Sequence, residues 1–344
     1  MLKQKLPTIS ILTLTLDPNL NIFKKSLESI KQQNYPKEKI EHLIIDGGSK
    51  RETLNLVKKY NCKVISKKNY RVNSEARRSF GVTAAKNDII LWLEADNILA
   101  DKNCLKELVK PFLADAKIIS TFTLHFTYNK NMSLLDRYCA LFGVSDPVVI
   151  YMKRAEKEPW FNDEYKKGKI IKKTKNYDVV KFDKNTLPTV GDNGSAIRRD
   201  VLLKARITPD FYFHTDVFVD LLNLGYNKFA VVKSTSIENY VGDSLLNLVK
   251  RRSFYMQRDA APERIKNRRY AIVNSSSPQD IFLISKFMIY SLTFIQPIYL
   301  SLKGFSQKKD LAWFLHPLAC LFFMIFYLEA YLSIMIKNQF QSNQ

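Results

Sequence analysis

The chain has 344 residues, 46% hydrophobic and 25% charged, a balance that excludes a disordered polypeptide and allows one large domain or two modest ones. Lysine and arginine number 54 against 33 acids, and the formal charge of +21 calls for anionic partners: nucleic acid, anionic lipid or a phosphorylated small molecule. Cys62, Cys104, Cys139 and Cys320 have no CxxC spacing and read as small core residues, so no disulfide framework is indicated.

The first apolar run, ISILTLTLD, is short, rich in β-branched residues and stopped by Asp17, which suits a strand better than a signal peptide. Residues 21–33 put Ile22, Phe23, Leu27 and Ile30 on one helical face. HLIID is a second strand, after which Ser49 and Glu52 have the spacing of a capping box for the helix RETLNLVKKY. A third strand, CKVIS, a third helix over 73–85 and the strand IILWL follow. Repeated β-α-β units of this length imply a parallel sheet with helices on both faces. Ligands of such sheets gather outside the carboxyl ends of the strands, where Asp17, Asp46, Glu94 and Asp96 would converge.

Beyond residue 115 the pattern loosens. Residues 117–126 read as a strand, 133–151 as an amphipathic helix near lipid, and the lysine-rich 166–184 as a solvated hairpin. Residues 281–300 hold one charge, Lys286, and residues 311–336 one acid, Glu329. Each stretch is about as long as a bilayer-crossing helix, which needs roughly 20 apolar residues. A pair of buried or interfacial helices is the alternative. Residues 250–269 carry eight Lys or Arg against Asp259 and Glu263, a flank that favours the cytoplasmic side and anionic head groups. The connector KGFSQKKD also carries three lysines, which a simple hairpin would place outside and a re-entrant pair would not.

Five short motifs carry the candidate chemistry. In LEADN, Glu94 and Asp96 flank Ala95 at a strand end, where carboxylates can serve a hard divalent cation together with substrate phosphates or simply face water. In IIDGGS, Asp46 closes a strand and two glycines let backbone approach a ligand. Arg77 and Arg78 lie on the third helix; the planar guanidinium suits a diphosphate, and one of the two is expected to face solvent. In VGDNGSAIRRD, Gly191, Asp192, Asn193 and Gly194 form a loop that offers N–H groups to an anionic or hydroxyl-rich ligand, without P-loop spacing. In FYFHTDVFVD, Asp216 opens a helix and suits either its dipole or a general base, with His214 beside it.

Taken in this order, the motifs resemble the inverting family 2 glycosyltransferases of GT-A fold over roughly residues 8 to 255. The resemblance implies a nucleotide-sugar-binding half (1–115), an acceptor-binding and catalytic half (116–242), a basic juxtamembrane segment (243–280) and two hydrophobic membrane helices (281–344). Thr15 and Asp17 would lie near the donor nucleoside, Asp46 would bond its base, and Arg77 would approach the diphosphate. Glu94, Ala95 and Asp96 would form the metal motif, Asp96 being the direct Mg²⁺ or Mn²⁺ ligand and Glu94 the weaker one. Asp216 would be the base, with Gly191–Gly194 and His214 on the acceptor side, and Arg251 and Arg252 would contact donor phosphate or membrane. Asn239 stands where many members place a metal-completing histidine, Glu94 where they have a first Asp, and Thr215 where they often have an acid. The implied partners are a UDP- or GDP-sugar, a lipid-linked or polysaccharide acceptor and anionic lipids at the cytoplasmic face. A polyprenyl phosphate acceptor and a catalytically impaired binding relative remain alternatives. Nucleic acid is not expected, since no aromatic-basic recognition motif accompanies the charge.

Overall fold

The computed structural model describes residues 5–242 and 244–342; the first residue of the expected juxtamembrane segment, 243, lies outside them. Two compact units form, one from Met1–Thr127 with Glu164–Tyr240, the other from Tyr128–Asp163 with Val241–Gln344.

The first unit opens with β1 (Ile9–Thr15), fully buried, and α1 (Leu20–Lys31), whose N-terminus is capped by the Asn19 side chain. Phe23, Leu27 and Ile30 on α1 are buried, as the helical spacing requires. Next come β2 (Ile40–Asp46), α2 (Arg51–Lys59), β3 (Lys63–Ser66), α3 (Ser74–Ala84), β4 (Ile89–Trp92), β5 (Asn97–Leu99), α4 (Cys104–Ala114) and β6 (Ser120–Thr123). The expected capping box is not made. Lys50 occupies the N-cap of α2 without a side-chain bond, because the Ser49 hydroxyl accepts from the Asp17 N–H instead, at 3.1 Å.

In the second unit, α5 (Leu134–Phe142) and α6 (Val148–Tyr151) replace the single amphipathic helix expected over 133–151. Gly143 ends α5 at φ 72°, a left-handed conformation suited to glycine. There is no room for a side chain: a Cβ on Gly143 would lie 2.8 Å from the Glu158 carbonyl oxygen.

The chain returns to the first unit as β7 (Lys169–Lys173) and β8 (Tyr177–Lys181), the expected hairpin with an exposed outer strand. It continues through β9 (Ala196–Arg198), α7 (Arg199–Leu202), α8 (Asp216–Asn223), β10 (Lys228–Val232) and β11 (Ile237–Asn239). The second unit is completed by α9 (Leu245–Asp259), α10 (Pro262–Ile265), α11 (Pro278–Thr293), α12 (Ile295–Gln307) and α13 (His316–Ser342).

The sheet has nine strands in the order β3-β2-β1-β4-β9-β6-β10-β8-β7. Its β3-β2-β1-β4 half is parallel, as the alternating units require. β9, which the sequence presents only as a loop running into a helix, enters antiparallel between β4 and β6. That insertion carries the Gly191–Gly194 loop to the carboxyl end of β4. A separate two-stranded sheet pairs β5 with β11, Asn97 opposite Asn239.

In the second unit, Tyr138, Phe142, Phe287, Trp313 and Phe323 form an apolar cluster. One helix there, within Leu311–Lys337, is long and apolar enough to cross a membrane, with mean hydropathy 2.0; α11 and α12 meet such a test only together.

Candidate functional site

Thr15 and Asp46 end β1 and β2 directly opposite each other, and the Thr15 hydroxyl donates to Asp46 Oδ1 at 3.0 Å. The turn that follows folds back on Asp46, whose carboxylate accepts from the Gly48 N–H at 2.7 Å and the Ser49 N–H at 3.1 Å. Burial pushes the Asp46 pKa up, but these donors outweigh it and hold it below the usual carboxylate value. Asp46 is thus committed to shaping its own turn. Asp17, at φ 49°, accepts from the Lys50 N–H at 2.7 Å and lies 3.6 Å from Arg71 Nη2, while Arg71 Nη1 donates to the Gly48 carbonyl at 2.7 Å. Arg71 therefore borders the turn after β2, a contact its sequence context did not signal.

Arg77 and Arg78 are both buried, so the expectation that one faces solvent does not hold. Consecutive helical side chains project about 100° apart, and α3 has protein on both of those sides. Arg77 turns under the sheet edge, where Nη1 donates to the Thr15 carbonyl at 2.7 Å and the Ile45 carbonyl at 3.2 Å. Gly47 makes this passage possible, since a Cβ there would lie 2.8 Å from the same nitrogen. The guanidinium expected near the diphosphate braces β1 and β2 through these carbonyls.

Arg78 joins a charged chain. Its Nη2 lies 2.6 Å from Glu94 Oε1 and its Nε 3.7 Å from Glu75 Oε1, with its guanidinium 4.8 Å from the Trp92 ring. Glu75 in turn accepts from the His214 N–H at 2.9 Å and faces His214 Nδ1 at 2.9 Å. Glu75 and Arg78 meet because they are three residues apart on α3. Burial raises the Glu75 pKa, but His214 and Arg78 overcome this and hold it at about 2. Burial lowers the His214 pKa, and Glu75 overcomes that too, leaving it above the ordinary histidine value. Burial together with Asp192 and Glu75 raises the Glu94 pKa, against the pull of Arg78.

The stability consequence follows from these directions. The Glu75 contribution is present above pH about 4.3 and is lost as pH falls toward its folded value, about 2. The His214 contribution is complete below pH about 6.5 and is lost as pH rises through the elevated folded value. Melting temperature against pH is therefore expected to show a His214-linked decline above pH about 6.5 that Glu75→Gln flattens; an identical profile in the variant would refute the pairing.

Asn97, which the sequence reading left aside, is the hub of the remaining groups. Its Oδ1 accepts from the Glu94 N–H at 3.0 Å, and its Nδ2 points to Asn239 Oδ1 at 2.9 Å, Asn193 Oδ1 at 3.3 Å and Asp96 Oδ1 at 3.4 Å. The Tyr240 N–H donates to the Asp96 carbonyl at 3.0 Å. LEADN, GDNG and IEN, up to 142 residues apart, thus meet on one side chain. The glycines are fitted to this approach: Gly194, at φ 87°, packs so closely that a Cβ would stand 1.9 Å from Ile237 Cδ1. Gly194→Ala is expected to cost about 1–3 kcal/mol through strain and clash, read as a fall in melting temperature together with weaker ligand binding.

Asp216 is fully buried in the first turn of α8, two residues after His214; Ala95 is buried, while Asp96 is exposed. Among the described residues no group of three or more His, Cys, Asp or Glu converges as a metal cage. Glu94 is drawn to Arg78 and the Asn239 oxygen to Asn97. Exposed Asp96 offers one hard carboxylate to a magnesium-like cation, whose other ligands would have to come from a bound phosphate and solvent rather than from an enclosing protein cage. Arg251 and Arg252 belong to the second unit, where they donate to the Val241 carbonyl at 3.2 Å and the Ser145 hydroxyl at 2.5 Å.

The sequence profile described as Glycosyl transferase family 2 matches residues 19–204. The chain belongs to this family. Comparison with curated proteins by sequence finds no match. Among solved structures, this family 2 chain is similar to the mannosyltransferase PcManGT from Pyrobaculum calidifontis in complex with GDP-Man and Mn²⁺, at 12% identity, covering 95% of this chain and 88% of that one, TM-score 0.53. It also matches GalNAc-T7 with UDP, GalNAc and Mn²⁺ (20% identity, 75% and 52% covered, TM-score 0.49) and S. aureus TarS 1-349 in complex with UDP (15%, 98% and 92%, 0.46). The first likeness is one of fold, and the family 2 glycosyltransferase has the GT-A architecture.

Proposed function

We propose that this glycosyltransferase moves a sugar from a UDP- or GDP-linked donor, with inversion, to a hydroxyl of a lipid-linked or membrane-proximal glycan. The observation that carries the reading is the meeting of Asp96, Asn193 and Asn239 on Asn97, at the carboxyl end of β4 and beside the Glu75–Arg78–Glu94 chain. Residues 1–115 would serve the donor and 116–242 the acceptor. The nucleoside lies against the turn of Thr15, Asp17 and Asp46, where Asp46 holds the Gly48 and Ser49 amides in place. Asp96 would hold a Mg²⁺ or Mn²⁺ ion, which would supply charge neutralisation to the diphosphate leaving group. Asp216 takes the proton of the acceptor hydroxyl; the oxygen forms a bond to the anomeric carbon, and the bond to the diphosphate breaks with its electron pair going to the nucleotide. His214, held by Glu75, fixes the chain leading into Asp216.

Mn²⁺-dependent binding of nucleotide sugars to the full chain, followed by fluorescence or calorimetry, tests the donor half. Asp96→Ala is expected to weaken Mn²⁺-dependent donor binding by at least tenfold while leaving the fold intact. Equal binding with and without the metal, in both proteins, would sink the metal assignment. The anionic lipid partner and the cytoplasmic side rest on the basic stretch 250–269 and on the apolar C-terminal helices. Co-sedimentation with phosphatidylglycerol vesicles, declining as salt rises, is the expected result.

A further inference from the structure

α11 and α12 meet at Phe294 with a bend of 78°, and such a pair is either a broken membrane span or a re-entrant loop. The two possibilities differ in where the end of α12 lies. The start of α11 is held by its buried Asp280, which accepts from the Asn274 N–H at 2.9 Å and lies 3.8 Å from Arg154 Nη2. Beyond α12, the Lys308 ammonium stands 4.1 Å from the ring centroids of both Tyr128 and Trp160. Two residues on, Asp310 accepts from the Tyr128 hydroxyl and lies 3.0 Å from Arg137 Nε.

All four holding residues, Tyr128, Arg137, Arg154 and Trp160, lie within one continuous segment of the same unit. The helices of that segment, α5 and α6, have nine and four residues. At about 1.5 Å per residue they extend roughly 14 and 6 Å, well short of a hydrocarbon layer about 30 Å thick. Neither helix of the segment is long enough to cross a bilayer, and this one segment supplies the partners that hold both ends of the α11–α12 pair.

Between the anchors the pair presents Phe282, Ile289, Leu292, Ile295, Tyr299 and Leu302, each more than half exposed. Lys286, midway along α11, is exposed and lies over the Phe282 and Tyr290 rings at 5.9 and 5.4 Å. A lysine at mid-helix is strongly disfavoured in a crossing helix. In a helix lying in the membrane plane its stem runs along apolar surface to the head groups. Lys303 and Lys309 add positive charge near the α12 end, complementary to anionic lipid.

We propose that α11 and α12 form a re-entrant wedge seated in one leaflet of an anionic bilayer, entering and leaving on the same face. The wedge rests on the membrane association proposed above. It also accounts for the three lysines of the KGFSQKKD connector, which stay on the side of the basic stretch and are not moved across.

The test uses the full chain in a Cys62→Ser background, with single cysteines introduced by Ser275→Cys or Gln307→Cys, both exposed positions flanking the pair. Sealed inverted inner-membrane vesicles from the expressing bacterium are treated with a membrane-impermeant maleimide, with and without detergent. Equal labelling of both cysteines before detergent is the expected result. Protection of one cysteine until detergent is added overturns the wedge while leaving membrane association standing. A chain that fails to sediment with the vesicles overturns the association and the wedge together. Ser276→Cys and Ser306→Cys repeat the readout should either first variant express poorly.

Discussion

Replacing Asp216 with asparagine is expected to lower kcat by about 10²–10⁴-fold, the usual contribution of a positioned general base. The substitution keeps the size of the side chain, exchanges one acceptor oxygen for an NH2 donor and removes the charge and the ability to take a proton. Donor affinity, assigned in the proposed site to the turn of Thr15, Asp17 and Asp46 and to Asp96, is expected to stay within twofold. Asp216 is fully buried, so the substitution can act on stability as well as on activity. Melting temperature measured on the same samples separates the two. The experiment also reads the acceptor class. A hydroxyl acceptor needs its proton removed, whereas a polyprenyl phosphate is already anionic and would be glycosylated at nearly the wild-type rate by the asparagine variant. Full turnover of a hydroxyl acceptor by Asp216→Asn would eliminate the proposed base.

The second large effect is structural. Arg78→Met is expected to destabilise the first unit by about 3–5 kcal/mol, the cost of leaving a buried charge without its partner. Glu94, at 2.6 Å, loses its counter-charge, and Glu75, at 3.7 Å, is left with His214 alone. In a unit of this size the loss corresponds to roughly 10 °C in melting temperature. Adding Glu94→Gln should restore part of it, because the orphaned acid is then neutral. A loss under about 1 kcal/mol would mean that the carboxylates find other partners or take up protons at little cost. Arg77→Met removes two bonds to backbone carbonyls and no ion pair, so its penalty is expected to be smaller.

Much of the first unit could be read without coordinates, because its signals are local. The alternation of short β-branched runs with amphipathic stretches placed β1–β4 and α1–α3, and the parallel order followed from connection length. The same periodicity put Asp17, Asp46, Glu94 and Asp96 at strand ends. The Lys-rich hairpin was legible for the same reason. Where a local rule had a competitor, the structure chose the competitor: Ser49 serves Asp17 and not its own helix, and Gly143 divides an apolar stretch that periodicity alone would continue.

What the sequence by itself determined is therefore the fold class, the family motifs and the edge of the sheet to which the acidic strand ends come, each carried by residues within a few positions of one another. Only the tertiary structure decided which of these groups remain available. It turned Arg77 under the sheet, bound Glu94 to Arg78, and joined Asp96, Asn193 and Asn239 through Asn97. Those choices depend on β9 entering antiparallel beside β4 and on β11 pairing with β5, contacts between segments roughly a hundred or more residues apart. The physical reason is the same throughout. Backbone periodicity reports which face of an element is buried, but a buried charge takes whichever partner long-range packing brings within about 3 Å, and that partner leaves no mark on the local pattern.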